Sequence, residues 1–125
     1  MTSPADIPGA YVRDVIALCA RWHVPAAALT RGLPITAAAL DAPTTRVPIA
    51  VCAEVVARAH RLTREPALAL YAGWQMRLSS HGYLGFAAMT APTVRAAIDL
   101  AVRYAATRTT AVGPAPRRDR TPPRP

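Results

Sequence analysis

Proline placement constrains this chain more than any other feature. Pro25, Pro34, Pro43, Pro48, Pro66 and Pro92 interrupt it at short intervals. A proline has no N–H and its ring clashes with the preceding turn, so it is accepted at a helix start but not in a helix interior. No helix can therefore run through any of these positions. The stretches between them are rich in Ala, Val and Leu at helical spacing. Such a chain can make several short helices. It cannot make a long coiled coil.

Residues 10–22 carry Val12, Val15, Ile16, Cys19 and Trp22 on one stripe, with Arg13, Asp14 and Arg21 mostly off it, which predicts an amphipathic helix. His23-Val24-Pro25 breaks it, and Pro25 opens a short helix through Leu29. Ile35 to Leu40 adds a turn or two before the loop Asp41-Ala42-Pro43. Pro48 is expected to open a long helix through about Leu62, with Val51, Cys52, Val55, Val56, Ala59 and Leu62 as its core stripe. Pro66 begins a helix through about Trp74, and residues 76–80 read as a short extended connection. Gly82 to Met89 is apolar on all sides, so a central helix is expected there. Pro92 starts the last helix, through about Arg108, with Val94, Ile98, Ala101, Val102 and Ala105 on one face. The expected fold is mainly α, a bundle of five to seven helices. Residues 1–9 are expected to be a flexible N-terminus and 10–110 the domain. Residues 111–125 hold five Pro and four Arg with little that could build a core, so a disordered tail is expected.

Composition narrows the class further. The 125 residues are 52% hydrophobic but only 6% aromatic, with a net charge of +8, and every basic residue is Arg. One domain, or one domain with a tail, fits that length. Two cysteines exclude a disulfide scaffold, and Cys19 and Cys52 read as small buried hydrophobes. Met1 to Gly9 lacks the basic and apolar regions of a secretion signal, and no stretch approaches the ~18 apolar residues of a membrane span. A cytoplasmic location is expected. The tail accounts for +3 of the +8, from four Arg and one Asp. The remainder is scattered over helices with acids interleaved, which argues against specific nucleic-acid binding.

An ordered set of segments carries a resemblance. It comprises Arg46-Val47-Pro48, Leu62-Thr63, Pro66-Ala67-Leu68-Ala69-Leu70, Gly73, Gly82-Tyr83-Leu84-Gly85-Phe86, Ala91-Pro92-Thr93 and Arg103-Tyr104. Over roughly residues 9–110 the chain resembles the N-terminal, arabinose-binding-like regulatory domain of AraC-family transcription regulators. The resemblance implies a bacterial domain that senses a small effector or mediates dimerisation. It also implies a longer protein with a β-rich portion and a DNA-binding pair of helix-turn-helix motifs. On this reading the chain is a truncated or frameshifted member, incomplete before that DNA-binding part. The expected partners are an unidentified small molecule and a second copy or an intact relative, with no specific DNA and no membrane. The alternatives are a small helical interaction module, or a nonspecific nucleic-acid binder acting through the basic tail.

Candidate chemistry is sparse. Residues 12–31 have the outline of a helix-turn-helix, but in the second helix only Thr30 and Arg31 could reach base edges, so a packing helix is the better reading. His23, His60 and His81 lack metal spacing, and no metal or cofactor is expected. Glu54 and Glu65 read as single exposed carboxylates, with Glu54 and Arg58 paired at i,i+4. Ser79-Ser80-His81 lacks the surroundings of a catalytic triad, and no enzyme activity is expected. Gly82 and Gly85 read as sites of close packing. Trp74, Tyr83, Phe86 and Tyr104 are expected in the core, or around an effector pocket with Trp74, Gln75, Arg77 and His81 at its rim.

Overall fold

A computed structural model describes residues 5–108. Among them are seven α-helices and one two-stranded antiparallel ribbon. Strand β1 (Asp6–Pro8) leads into α1 (Gly9–Cys19), followed by α2 (Ala26–Thr30), α3 (Ala37–Asp41), β2 (Arg46–Pro48), α4 (Ile49–Thr63), α5 (Leu68–Gln75), α6 (Gly82–Met89) and α7 (Val94–Tyr104). Short 3-10 turns at Ala20–Trp22, Leu78–His81 and Ala105–Thr107 join or extend them.

The prolines act where the sequence places them, shifted by a residue or two. Pro8, Pro25 and Pro48 occupy the residue before α1, α2 and α4 with extended ψ, rather than the first helical position. Thr36 and Thr93 cap α3 and α7 through their hydroxyls, each accepting the N–H three residues on at 3.1 Å. His23 and Arg64 adopt the left-handed conformation where the helical turns before them end.

Two expectations about extended structure change. Residues 6–8, read as part of a flexible N-terminus, are β1, paired with β2 in the register Ile7↔Val47. Both of those side chains are buried, and Arg46 binds Asp6 across the outer side at 2.6 Å. Burial of one face explains the ordering. The segment near 76–80 is extended only at Met76 and Arg77, after which the chain turns through Leu78–His81. The tail at 111–125 lies outside the described residues.

Among the described residues the core lies between Ile7 and Leu68. Its largest fully buried side chains are Leu18, Leu29, Val12, Val47, Val55 and Cys19. Helix α1 supplies three of them and packs on α2, α3, α4 and α5. Arg58 on α4 locks α2 in place: it pairs with Glu54 at 2.8 Å and donates to the carbonyls of Arg31 (2.7 Å) and Leu29 (3.3 Å). The Glu54–Arg58 pair is thus part of a helix C-cap and more than a solvated i,i+4 contact. Glu65 is likewise occupied, accepting the Ala67 N–H at 2.9 Å ahead of α5.

Helix α6 is not central. It packs against the Leu78–His81 turn and α7, and only Gly85 on it is buried. A Cβ on Gly85 would collide with the Leu78 carbonyl, so glycine permits this approach. Its outer side is largely open. Tyr83 is 93% exposed, and Phe86 and Met89 are exposed as well. The apolar face of α7 is also open at Val94 (77% exposed), Ile98 and Val102.

Three outcomes test this division. Leu18→Ala should cost about 2–5 kcal/mol in urea unfolding, because it leaves a cavity, whereas Val94→Ala should stay within about 0.5 kcal/mol. Gly85→Ala should loosen α6 from the turn and show raised amide exchange across residues 78–89. Burial raises the thiol pKa of both Cys19 and Cys52 above the ordinary range. The neutral thiol is favoured in the fold, so this contribution is full at neutral pH and fades as pH rises through the raised values. Cys19 should react with a disulfide probe only after denaturant is added.

Candidate functional site

The two parts of the molecule meet at one polar contact. Tyr11 projects from α1, and its hydroxyl is hydrogen-bonded to His81 Nδ1 at 2.6 Å across 70 residues of sequence. The two rings stand edge to face, with centroids 5.4 Å apart. Arg108, just past the last 3-10 turn, lays its guanidinium over the Tyr11 ring at 5.9 Å and reaches the Ser80 carbonyl from Nη2 at 3.5 Å. Its Nε is shut off from solvent and has no hydrogen-bond partner among the described residues. Gly82, at φ +60°, makes room: a Cβ there would lie 3.0 Å from Arg108 Nη1. The positive φ favours glycine at that position, and a Cβ there would also push the end of the Arg108 side chain aside.

Arg108 lines two clefts. One, of about 290 Å³, lies between Tyr11, the Leu78–His81 turn, α6 and α7, and its other walls include Leu78, Leu84, Ala88, Ala101 and Ala105. The other, of about 400 Å³, opens on the α3 side and is lined by Arg13, Asp41, Ser79, Tyr83 and Phe86, among others. The first pairs an apolar wall with a polar end made of a phenol, an imidazole and a guanidinium. That composition suits a small ligand with an apolar body and one polar group.

The residues singled out in the sequence divide accordingly. His81 sits in the smaller cleft, and Tyr83 and Phe86 line the larger. Trp74 stands apart, 93% exposed, in a shallow groove with Arg21, Leu70 and Tyr71. Gln75, Arg77 and Tyr104 are exposed and join neither cleft. The core reading of Trp74, Tyr83, Phe86 and Tyr104 is therefore corrected, because no described element covers the outer sides of α5, α6 and α7. Sequence reasoning missed Tyr11 and Arg108. Neither belongs to a local motif, and only the chain path brings them to His81.

Other chemistries find no constellation among the described residues. No group of three or more His, Cys, Asp and Glu is placed to hold a metal. Helix α2, the one considered for DNA reading, buries Leu29 and turns the Thr30 hydroxyl back onto the Ala26 carbonyl at 3.1 Å. The Arg31 carbonyl is taken by Arg58. This is a packing helix. No described helix is long and apolar enough to cross a membrane.

Comparison with known proteins gives this geometry a context. The profile described as the arabinose-binding domain of AraC transcription regulators, N-terminal, matches residues 24–122. It starts after α1 and runs past Thr110, where the resemblance read from the residues stops. The ornithine utilization regulator of Pseudomonas aeruginosa is 31% identical over 98 residues. That alignment covers 78% of this chain and 29% of the relative, so the chain spans under a third of the relative's length. No solved structure matches. The chain, with its helical layer and its small ribbon, belongs to the family of N-terminal arabinose-binding domains of AraC-type transcription regulators.

Proposed function

We propose that this chain is the signal-receiving part of a transcription regulator, taking a small-molecule effector and pairing with another protomer, while DNA binding belongs to a part outside residues 1–125. The observation that carries the reading is the match of an N-terminal regulatory domain over residues 24–122. A cleft with an apolar wall and a convergent polar end supports the effector half of it. The open apolar faces of α6 and α7 support the association half, since large contiguous apolar patches mark contact surfaces. A regulator of this kind works beside the chromosome, which supports a cytoplasmic location, and the matched family is one of transcription regulators rather than of enzymes.

The mechanism is a shift of populations. An effector that favours one arrangement of the helices changes how the domain presents itself to its partner, by no more than its difference in affinity for the two arrangements. The name of the P. aeruginosa relative makes L-ornithine a first compound to try, and the family description does the same for L-arabinose.

Thermal unfolding against a metabolite panel that includes both tests the effector half. Saturable stabilisation by at least one compound is expected, about 2.7 kcal/mol at a hundred times Kd. Mobility shifts on random and promoter DNA should show no sequence preference. Sequence-specific retention by this chain would overturn the assignment. Light scattering should give a mass above the 13.3 kDa of one chain, reduced by Ile98→Glu or Val102→Glu. A clean monomer at micromolar concentration counts against association through this face.

A further inference from the structure

Arg108 is the one described arginine with a buried nitrogen that lacks a hydrogen-bond partner. Four of the others, Arg13, Arg46, Arg58 and Arg95, pair with a carboxylate. Arg108 has no acidic partner among the described residues. Its Nη2 donates to the Ser80 carbonyl at 3.5 Å, and its Nε is buried without an acceptor among the described residues. A buried donor left unmet is costly, and a charged one more so. The position is nonetheless built: Gly82 yields the space the guanidinium occupies, and the Tyr11 ring lies beneath it.

The surroundings define what would complete it. Among the described residues no acidic side chain lines the smaller cleft, and Arg108 brings a positive charge to its wall. Tyr11 and His81 satisfy each other through Nδ1. Leu78, Leu84, Ala88 and Ala101 offer nothing to a polar body. The volume, about 290 Å³, is at the low end for ligand sites.

We propose that the cleft between α1, the Leu78–His81 turn and the α6–α7 pair binds a small organic carboxylate with a short aliphatic body, its carboxylate held by Arg108 beside the Tyr11–His81 pair. The proposal rests on the effector-sensing reading above and names the chemical class of the effector. The guanidinium fork matches a carboxylate in two parallel hydrogen bonds, which a point charge cannot do. The aliphatic body fills the alanine and leucine wall. A strongly hydrated inorganic anion would leave that wall wet and gain little there.

Calorimetric titration of the full chain tests it with 4-methylpentanoate, the uncharged 4-methylpentanamide and inorganic phosphate as probes. The acid should bind saturably, and the amide and phosphate roughly tenfold or more weakly. Arg108→Gln should remove the preference of acid over amide, and Arg108→Lys should recover part of it. Arg95→Gln, on the exposed side of α7, should leave it intact. Tyr11→Phe gives a second reading should Arg108→Gln fail to fold, and it should weaken the acid several-fold. Equal binding of acid and amide, phosphate binding as tightly as the acid, or no binding of the acid overturns the proposal. If L-ornithine, L-arabinose or another compound then stabilises the chain independently of Arg108, the effector-sensing reading stands and only the carboxylate class fails. If no compound binds at all, both fail.

Discussion

Everything else in this fold depends on the burial of α1. Val12, Leu18 and Cys19 are completely enclosed, and four other helices rest on the surface they form. The ribbon β1–β2 holds the start of that helix, with Gly9 N–H bonded to the Thr45 carbonyl at 2.8 Å and Ile7 and Val47 turned inward. A chain with so few aromatics has few large side chains to spend on a core. It concentrates its aliphatic ones around a single helix, and the core ends at Leu68.

The consequence is an uneven molecule. Residues 5–75 make a packed unit, whereas α6 and α7 are held mainly to each other and to the turn before them. Segments with few buried apolar contacts open at lower free energy than the core. The Tyr11–His81 hydrogen bond and the Arg108–Tyr11 stack therefore matter more than their individual strengths suggest, because they span the seam between the well-packed part and the thinly held part.

Local features were legible in the sequence, and long-range ones were not. The proline positions mark helix starts to within a residue or two, whereas the threonine caps at 36 and 93 emerge only from the structure. The stripe on α1 is correct at Val12 and Cys19 but omits Leu18, which lies beside it and is buried. The ribbon escaped because each strand has three residues, too few for an alternation to register. Helix α6 misled for a physical reason. An apolar helix is central only if something covers every side, and its sequence cannot say whether that cover exists within the same chain. The candidate site was half legible. His81, Tyr83 and Phe86 sit together in a glycine-bearing segment, but Tyr11 and Arg108 reach them only through tertiary folding.

The position of the cleft then bears on mechanism. A ligand bound wholly within the packed unit would add stability without changing its shape. One bound at the seam touches α1 on one side and α6, α7 and Arg108 on the other. Its binding energy is available only when both sides are in place, so it favours the closed arrangement over any in which the helical pair swings away. That same pair carries the exposed apolar residues Phe86, Val94, Ile98 and Val102. A ligand that fixes the pair against α1 thereby fixes the geometry of the surface available for association. Sensing and pairing would be coupled through one thinly held element, with no pathway through the core required.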